Sequence, residues 1–182
     1  MNAKTKRCLL DLCLFVILIA ADRFTKIWAT GTLMDGEAIE LIPNVLELYY
    51  LPNGNTGAAF GILSGHKWLF LIIAFVVVVI IFYLVYKMPQ EGKYKGIEIL
   101  LVFIAAGGVG NMIDRAIQDY VVDFIYISCI NFPIFNVADM YVSVCTVILA
   151  LFVLFRLKEE DYKTLENAFA PHFKGSAGKR EQ

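Results

Sequence analysis

Histidine is scarce in this 182-residue chain, with only His66 and His172 present, and neither lies in an HExxH sequence. A zincin-type metalloprotease is therefore excluded. There is no GxSxG either, and of Ser64, Ser128 and Ser143 only Ser64 has a histidine near it. The four cysteines (Cys8, Cys13, Cys129, Cys145) form no CxxC pair and none sits beside a histidine, so neither a zinc ribbon nor a thioredoxin-like site is indicated. Charge is sparse too. Lys, Arg, Asp and Glu make up 18% of the chain and apolar residues 59%, against about 25% and 45–50% in ordinary soluble proteins. A formal net charge of −1 speaks against a basic nucleic-acid binder, and the apolar content against a disordered chain or a small disulfide scaffold. With a mean hydropathy of +0.66, the solvent for most of this chain is lipid.

Four runs are long enough to cross about 30 Å of hydrocarbon. They cover about 8–28, 68–86, 96–113 and 137–155. The second carries no charge. The first is flanked by Asp11 and by Asp22, Arg23 and Lys26; the third contains Glu98 and a small-residue stretch, Ala105 to Gly110; the fourth holds Asp139. The basic start and the Ala20-Ala21 pair mimic a cleavable signal peptide. The polar residues that follow directly, and the need for an even number of crossings, make the first run a span instead.

The connectors orient these spans. Residues 1–7 hold three basic residues, 87–95 three more, and Arg156, Lys158 and Lys163 follow the last span, whereas connectors 29–67 and 117–135 hold only Lys67. Nine against one places both termini in the cytoplasm and the two base-poor connectors outside. In the first outer connector, Leu46, Leu48 and Tyr50 alternate with Glu47 and Tyr49, the period of a strand, and Asn53-Gly54 is a tight-turn signal. Residues 120–128, rich in β-branched and aromatic side chains, suggest a further strand. The expected fold is thus an all-α membrane protein with four transmembrane helices (residues 1–157), a small extracytoplasmic β-cradle at about 38–61, and a polar cytoplasmic tail over 158–182 whose end is expected to be disordered.

Ionisable groups within spans are costly and mark function by default. The expected topology brings Asp22, Arg23, Lys26, Asn111, Asp114, Arg115, Asn136 and Asp139 to the outer ends of three spans, with Asp123 in the connector between the last two. Asn111, Asp114 and Arg115 share one face of their helix, as do Asn136 and Asp139. Asp22 and Lys26, at i and i+4, read as an ion pair. Arg115 is expected to pair with Asp114 or Asp22 and to serve folding. Asp123 and Asp139 have no basic neighbour in sequence. With zincin, serine and cysteine chemistry eliminated, carboxylate chemistry remains, in which two close acids share a proton and divide general-acid and general-base work.

The sequences DRFTK (22–26), NTGAAFG (55–61), GGVGNMIDR (107–115), VVDF (121–124) and FNVAD (135–139) occur in one order on these spans. Together they resemble the signal peptidase II family, the bacterial lipoprotein signal peptidases, over residues 8–157. The resemblance implies an aspartic endopeptidase of the bacterial inner membrane that cuts diacylglyceryl-modified prolipoproteins before the lipidated cysteine. It assigns the catalytic pair to Asp123 and Asp139, and supporting roles to Asp22, Lys26, Asn55, Gly57, Asn111, Asp114, Arg115, Asn136 and Ala138. It implies no metal or cofactor and no nucleic-acid partner; the partners are the lipidated prolipoprotein and membrane lipids. Arg23 stands where glutamine is common in that family, and Met140 where serine often follows. Two other readings use the same residues: a proton-coupled transporter, which would spread carboxylates along the membrane depth, and a passive scaffold, which leaves their convergence unexplained.

Overall fold

The structure, a computed structural model, describes residues 2–57 and 67–170. The end of the NTGAAFG sequence, both histidines and the terminal stretch expected to be disordered lie outside the described residues. Helices dominate: α1 (Ala3–Leu33), α2 (Lys67–Lys87), α3 (Lys95–Gln118), α4 (Val137–Arg156) and α5 (Glu159–Phe169). Three short strands, β1 (Ile39–Ile42), β2 (Leu46–Leu48) and β3 (Ile125–Tyr126), form one antiparallel sheet in the order β1-β2-β3.

Three helical segments among the described residues are long and apolar enough to cross a membrane: Trp68–Lys87, Gly92–Gln118 and Val137–Arg156. The first helix is longer than any of them, but Asp11, Asp22, Arg23 and Lys26 interrupt its apolar run. Length is not what it lacks, since its 31 residues reach about 46 Å at 1.5 Å each. Two of its charged residues, Asp22 and Lys26, are fully buried, as are Glu98 and Asp114 of α3.

At the centre, α3 packs against α1, α2 and α4. Small residues make that approach close, as expected where lipid removes the hydrophobic drive for helix association. A Cβ on Gly107 would stand 2.4 Å from the Ala138 carbonyl oxygen, and one on Gly110 would stand 2.5 Å from a carboxylate oxygen of Asp22. Glycine at these two positions is what lets α4 and α1 reach α3. Gly108, the third member of the stretch, faces Val78 of α2 at an ordinary 3.5 Å.

The sheet starts with a hairpin whose turn has Pro43 followed by Asn44 at φ 58°, closed by the Val45 N–H donating to the Ile42 carbonyl. Its second strand holds Leu46, Glu47 and Leu48 of the stretch that sequence marked as a strand, and Tyr49 and Tyr50 follow it. Beyond β2 the chain runs along the 121–124 segment: the Tyr49 and Leu51 N–H groups donate to the carbonyls of Phe124 and Asp123 at 2.9 and 3.0 Å. Past the Asn53-Gly54 turn, Asn55 and Val121 exchange two backbone hydrogen bonds of 2.9 Å each. Phe135 pairs with Ile125 and delivers the chain into α4.

At the opposite end of the bundle, Arg7 pairs with the buried Glu98 and donates to the Pro89 and Met88 carbonyls at 3.0 and 3.3 Å. The segment after Leu157, expected to be only a polar tail, contains α5. This helix covers that end of the core with Leu165 and Phe169.

Candidate active site

The two carboxylates marked by sequence come from different kinds of structure. Asp139 sits in the first turn of α4, where Asn136 caps the helix. The Asn136 side-chain oxygen accepts from the Asp139 N–H at 3.0 Å, and the Asp139 carboxylate accepts the Asn136 N–H at 3.2 Å. This reciprocal box satisfies two of the donors that a helix start leaves open. Asp123 lies on the connector, yet its own carbonyl accepts the Leu51 N–H and its neighbours Val121 and Phe124 bond Asn55 and Tyr49, which ties the connector to the chain that follows β2. Asp123 is 1% exposed.

Three amides hold the pair. Asn136 donates from Nδ2 to Asp123 at 2.6 Å, and Asn55 donates to the other Asp123 oxygen at 2.9 Å. Asn111 donates to Asp139 at 2.7 Å. The Asn136 amide also reaches the Asn111 oxygen at 3.2 Å, so one side chain touches Asp123, Asp139 and Asn111. Among the described residues neither carboxylate has a salt-bridge partner. Burial is the main cause lifting Asp123 from its ordinary 3.8 to about 6, and the charge of Asp139 adds to it; the amides pull the other way.

Behind this pair lies an ionic layer. Lys26 Nζ is within 3.0 Å of three oxygens, one each on Asp22, Asp114 and Asn111. Asp22 accepts the Ala138 N–H at 3.0 Å, which fixes the start of α4 one residue before Asp139. Asp114 pairs with Arg23 and accepts the Val122 N–H at 3.2 Å, one residue before Asp123. The ionic layer thus holds the backbone beside each carboxylate without touching the carboxylates themselves.

Arg115 does not pair with Asp114 or Asp22 as expected. Asp114 is occupied by Arg23 and Lys26 from α1, and the next residue on a helix points about 100° away. Arg115 instead donates to the Gly57 carbonyl at 2.8 Å and lies 4.9 Å over the Phe70 ring. Gly57 in turn donates its N–H to the Asn55 side chain at 3.0 Å, which ties Arg115 to the amide holding Asp123. The remaining residues marked by sequence, Asp22, Lys26, Asn55, Asn111, Asp114, Asn136 and Ala138, converge as expected. Phe70 was not marked, and an aromatic among the many of α2 carries no distinguishing signal. Arg23, expected among the groups at the outer ends of the spans, supplies the second cation for Asp114.

The family described as Signal peptidase (SPase) II matches residues 14–155, which contain every site residue above. The chain belongs to the signal peptidase II family. Similar curated proteins are the lipoprotein signal peptidases of Streptococcus pyogenes serotype M5 (strain Manfredo) and serotype M18 (strain MGAS8232). Each is 37% identical over 147 residues, covering 81% of this chain and 92% of the relative. Two solved structures of bacterial membrane enzymes, obtained by the in meso method at 2.3 and 1.9 Å, superpose with TM-scores of 0.73 and 0.70. Their identities are 30% and 32%, and each alignment covers 82% of this chain and 92% or 94% of the solved one. As a signal peptidase II the chain is a membrane protease that removes signal peptides.

Proposed function

We propose that this protein is an aspartic endopeptidase that removes the signal peptide of a lipid-modified prolipoprotein, with Asp123 and Asp139 as the catalytic pair. One observation carries the assignment: two buried carboxylates share the Asn136 side chain and are held by amides, whereas the neighbouring Asp22 and Asp114 are neutralised by Lys26 and Arg23. Amide donors fix the position of a carboxylate without fixing its charge, so the pair can exchange a proton. One member takes a proton from water as it attacks the scissile carbonyl, and the other gives a proton to the carbonyl oxygen; the roles reverse as the amine leaves. Because the two are coupled, the proton belongs to the pair.

A cavity of about 290 Å³ lies between α2, α3 and α4, with Phe70, Ile73, Val77 and Ile104 as apolar walls and Asp139 and Asn111 at its polar end. Such a site suits a substrate anchored by acyl chains, since the lipid portion stays in apolar surroundings while the scissile bond meets the carboxylates. The placement of Asp22, Asp114, Asp123 and Asp139 around one end of the bundle favours this reading over a proton relay. We take α1 as the fourth span, its charges at this depth being paired inside the bundle. The nine-to-one distribution of basic residues supports an inner-membrane orientation with both termini cytoplasmic and the carboxylates on the outer side.

Purified protein incubated with a diacylglyceryl-modified precursor is expected to release the signal peptide and leave the lipidated cysteine as the new N-terminus. Efficient cutting of the unmodified precursor would overturn the substrate assignment. Reporter fusions after Lys93 and Leu157 are expected to read cytoplasmic, and fusions near Glu40 and Ser128 external; a cytoplasmic reading at Glu40 would reverse the orientation.

A further inference from the structure

Asn55 reaches Asp123 only through the register in which its segment lies beside 121–124. Along an extended pair the side chains alternate between faces, and a slip of one residue turns each of them to the other face. With Asn55 opposite Val121, this alternation puts Asn55 on the face of Asp123 and Gly54 on the face of Tyr120. The Asn55 amide accordingly donates to Asp123 at 2.9 Å.

That register is not set by an even ladder. From Leu51, which bonds the Asp123 carbonyl, the chain advances four residues to Asn55, while the facing segment goes back only from Asp123 to Val121. The surplus is taken up in a turn closed by the Gly54 N–H donating to the Leu51 carbonyl at 3.0 Å, with Pro52 second and Asn53 third at φ 63°. A positive φ at the third position suits a turn with proline at the second, and asparagine tolerates it. One residue more or fewer in that turn would leave the backbone able to pair but Asn55 facing away from Asp123.

The Tyr120 ring fixes the count. Gly54 stands at φ 65°, and a Cβ built on it would overlap that ring, 2.6 Å from Cγ and 2.7 Å from Cε2. Only glycine admits the ring at this place, so neither Asn53 nor Asn55 can take it. On its other contacts Tyr120 packs with the apolar cluster of Ala29 and Leu33 of α1 and Tyr50, which is 7% exposed. An aromatic set diagonally across a strand pair commonly covers a glycine in this way.

We propose that Tyr120 is a positioning residue: its ring, seated on Gly54 and backed by α1, locks the register that delivers the Asn55 amide to Asp123. It acts on the carboxylate through Asn55. The inference deepens the aspartic reading given above and rests on it for its bearing on cleavage, whereas its test reads the titration of Asp123 without substrate.

Carboxyl-carbon NMR of the labelled full chain in detergent gives the Asp123 midpoint, assigned by the signal missing from Asp123→Asn. Losing the Asn55 donor disfavours the anion, so Asn55→Ala is expected to raise the midpoint by about one pH unit. Tyr120→Leu keeps apolar bulk without the flat ring and is expected to raise it as far. The double variant Tyr120→Leu, Asn55→Ala should go no further, because both changes remove one interaction. Tyr120→Phe retains the ring and is expected to keep the wild-type midpoint. Gly54→Ala pushes the ring off the turn; it should match Tyr120→Leu and decides the matter if that variant does not fold. A midpoint unmoved in folded Tyr120→Leu or Gly54→Ala overturns the proposal, as does an equal rise in Tyr120→Phe. Normal cleavage by Asp123→Asn would instead sink the aspartic reading and leave the register lock standing.

Discussion

Asp123 and Asp161 are the same residue in opposite settings at opposite ends of the molecule. Burial and the charge of Asp139 lift Asp123 to about 6, and its partners are the neutral amides of Asn55 and Asn136. Asp161 is brought down to about 2, chiefly by the Lys93 ammonium, with the Lys158 N–H and the Tyr94 hydroxyl adding to it. Asp161, with the Lys93 ammonium beside it, is held as an anion and works as a fastener. A carboxylate held by amides within reach of another carboxylate keeps its proton exchangeable, as acid–base chemistry requires. Asp22 and Asp114 are as buried as Asp123, but the Lys26 ammonium lies within 3.0 Å of both.

The largest effect should come from removing the titratable proton where the partners are amides. Asp123→Asn and Asp139→Asn keep the volume and remove the titratable proton, at the loss of one of the two hydrogen bonds each carboxylate accepts. Each is expected to slow single-turnover cleavage of a lipidated precursor by ~10²–10⁴-fold while leaving precursor binding intact. The double variant should be little slower than either single one, because the two act as a unit. Asp11→Asn, at the far end of α1, is the control and should cleave normally. Near-normal cleavage by either single variant would abolish the distinction drawn above.

The second test breaks a fastener. Lys26→Met fills the same space but removes the cation shared by Asp22 and Asp114, leaving Asp22 buried without a charge partner among the described residues. Breaking a buried pair in this way costs about 3–5 kcal/mol. The variant should lose thermal stability in detergent together with activity. Full stability with selective loss of cleavage would make Lys26 a chemical rather than a structural residue.

Much of this was legible from spacing alone. Asn111 and Asp114, and Asn136 and Asp139, each lie on one helical face, and the structure turns both faces towards the same cluster. Alternation around Leu46 and Leu48 marked the sheet that immobilises Asp123. Adjacency in sequence misled for Arg115, because consecutive helical residues diverge and α1 supplied the cations that Asp114 needed. Helix α5 was invisible for a different reason. Its sequence is charged, and its burial depends on Lys93 and Tyr94, which stand far earlier in the chain. Similarly, no local pattern shows that Asp22 would reach across to the Ala138 N–H.

A third test follows from Asp123 itself. A carboxyl held above its ordinary 3.8 binds its proton more tightly folded than unfolded. Stability from this group should therefore fall as pH rises from about 4 through about 6 and stay level above that. Asp123→Asn should remove this slope. Asp139→Asn should lower the titration midpoint of Asp123, because it removes a neighbouring negative charge; carboxyl-carbon NMR of labelled protein reads this directly. A midpoint unmoved by that substitution would mean the two groups do not share a site.

The smallest effect belongs to the fastened end. Tyr94→Phe removes one hydroxyl and keeps the ring that fills the core. Asp161 is not left unpaired, because Lys93 at 2.6 Å and the Lys158 N–H at 2.9 Å remain. The loss is therefore one hydrogen bond, about 1 kcal/mol, read as a small drop in melting temperature with cleavage unchanged. The pH dependence should also have the opposite sign to that of Asp123. A depressed carboxylate contributes stability above its ordinary value of 3.8, and that contribution is lost as pH falls towards about 2. If acidification to that range left the inner end intact while Tyr94→Phe destabilised it strongly, the tyrosine rather than the ion pair would be holding α5. The contrast between the two aspartates would then rest on Asp123 alone.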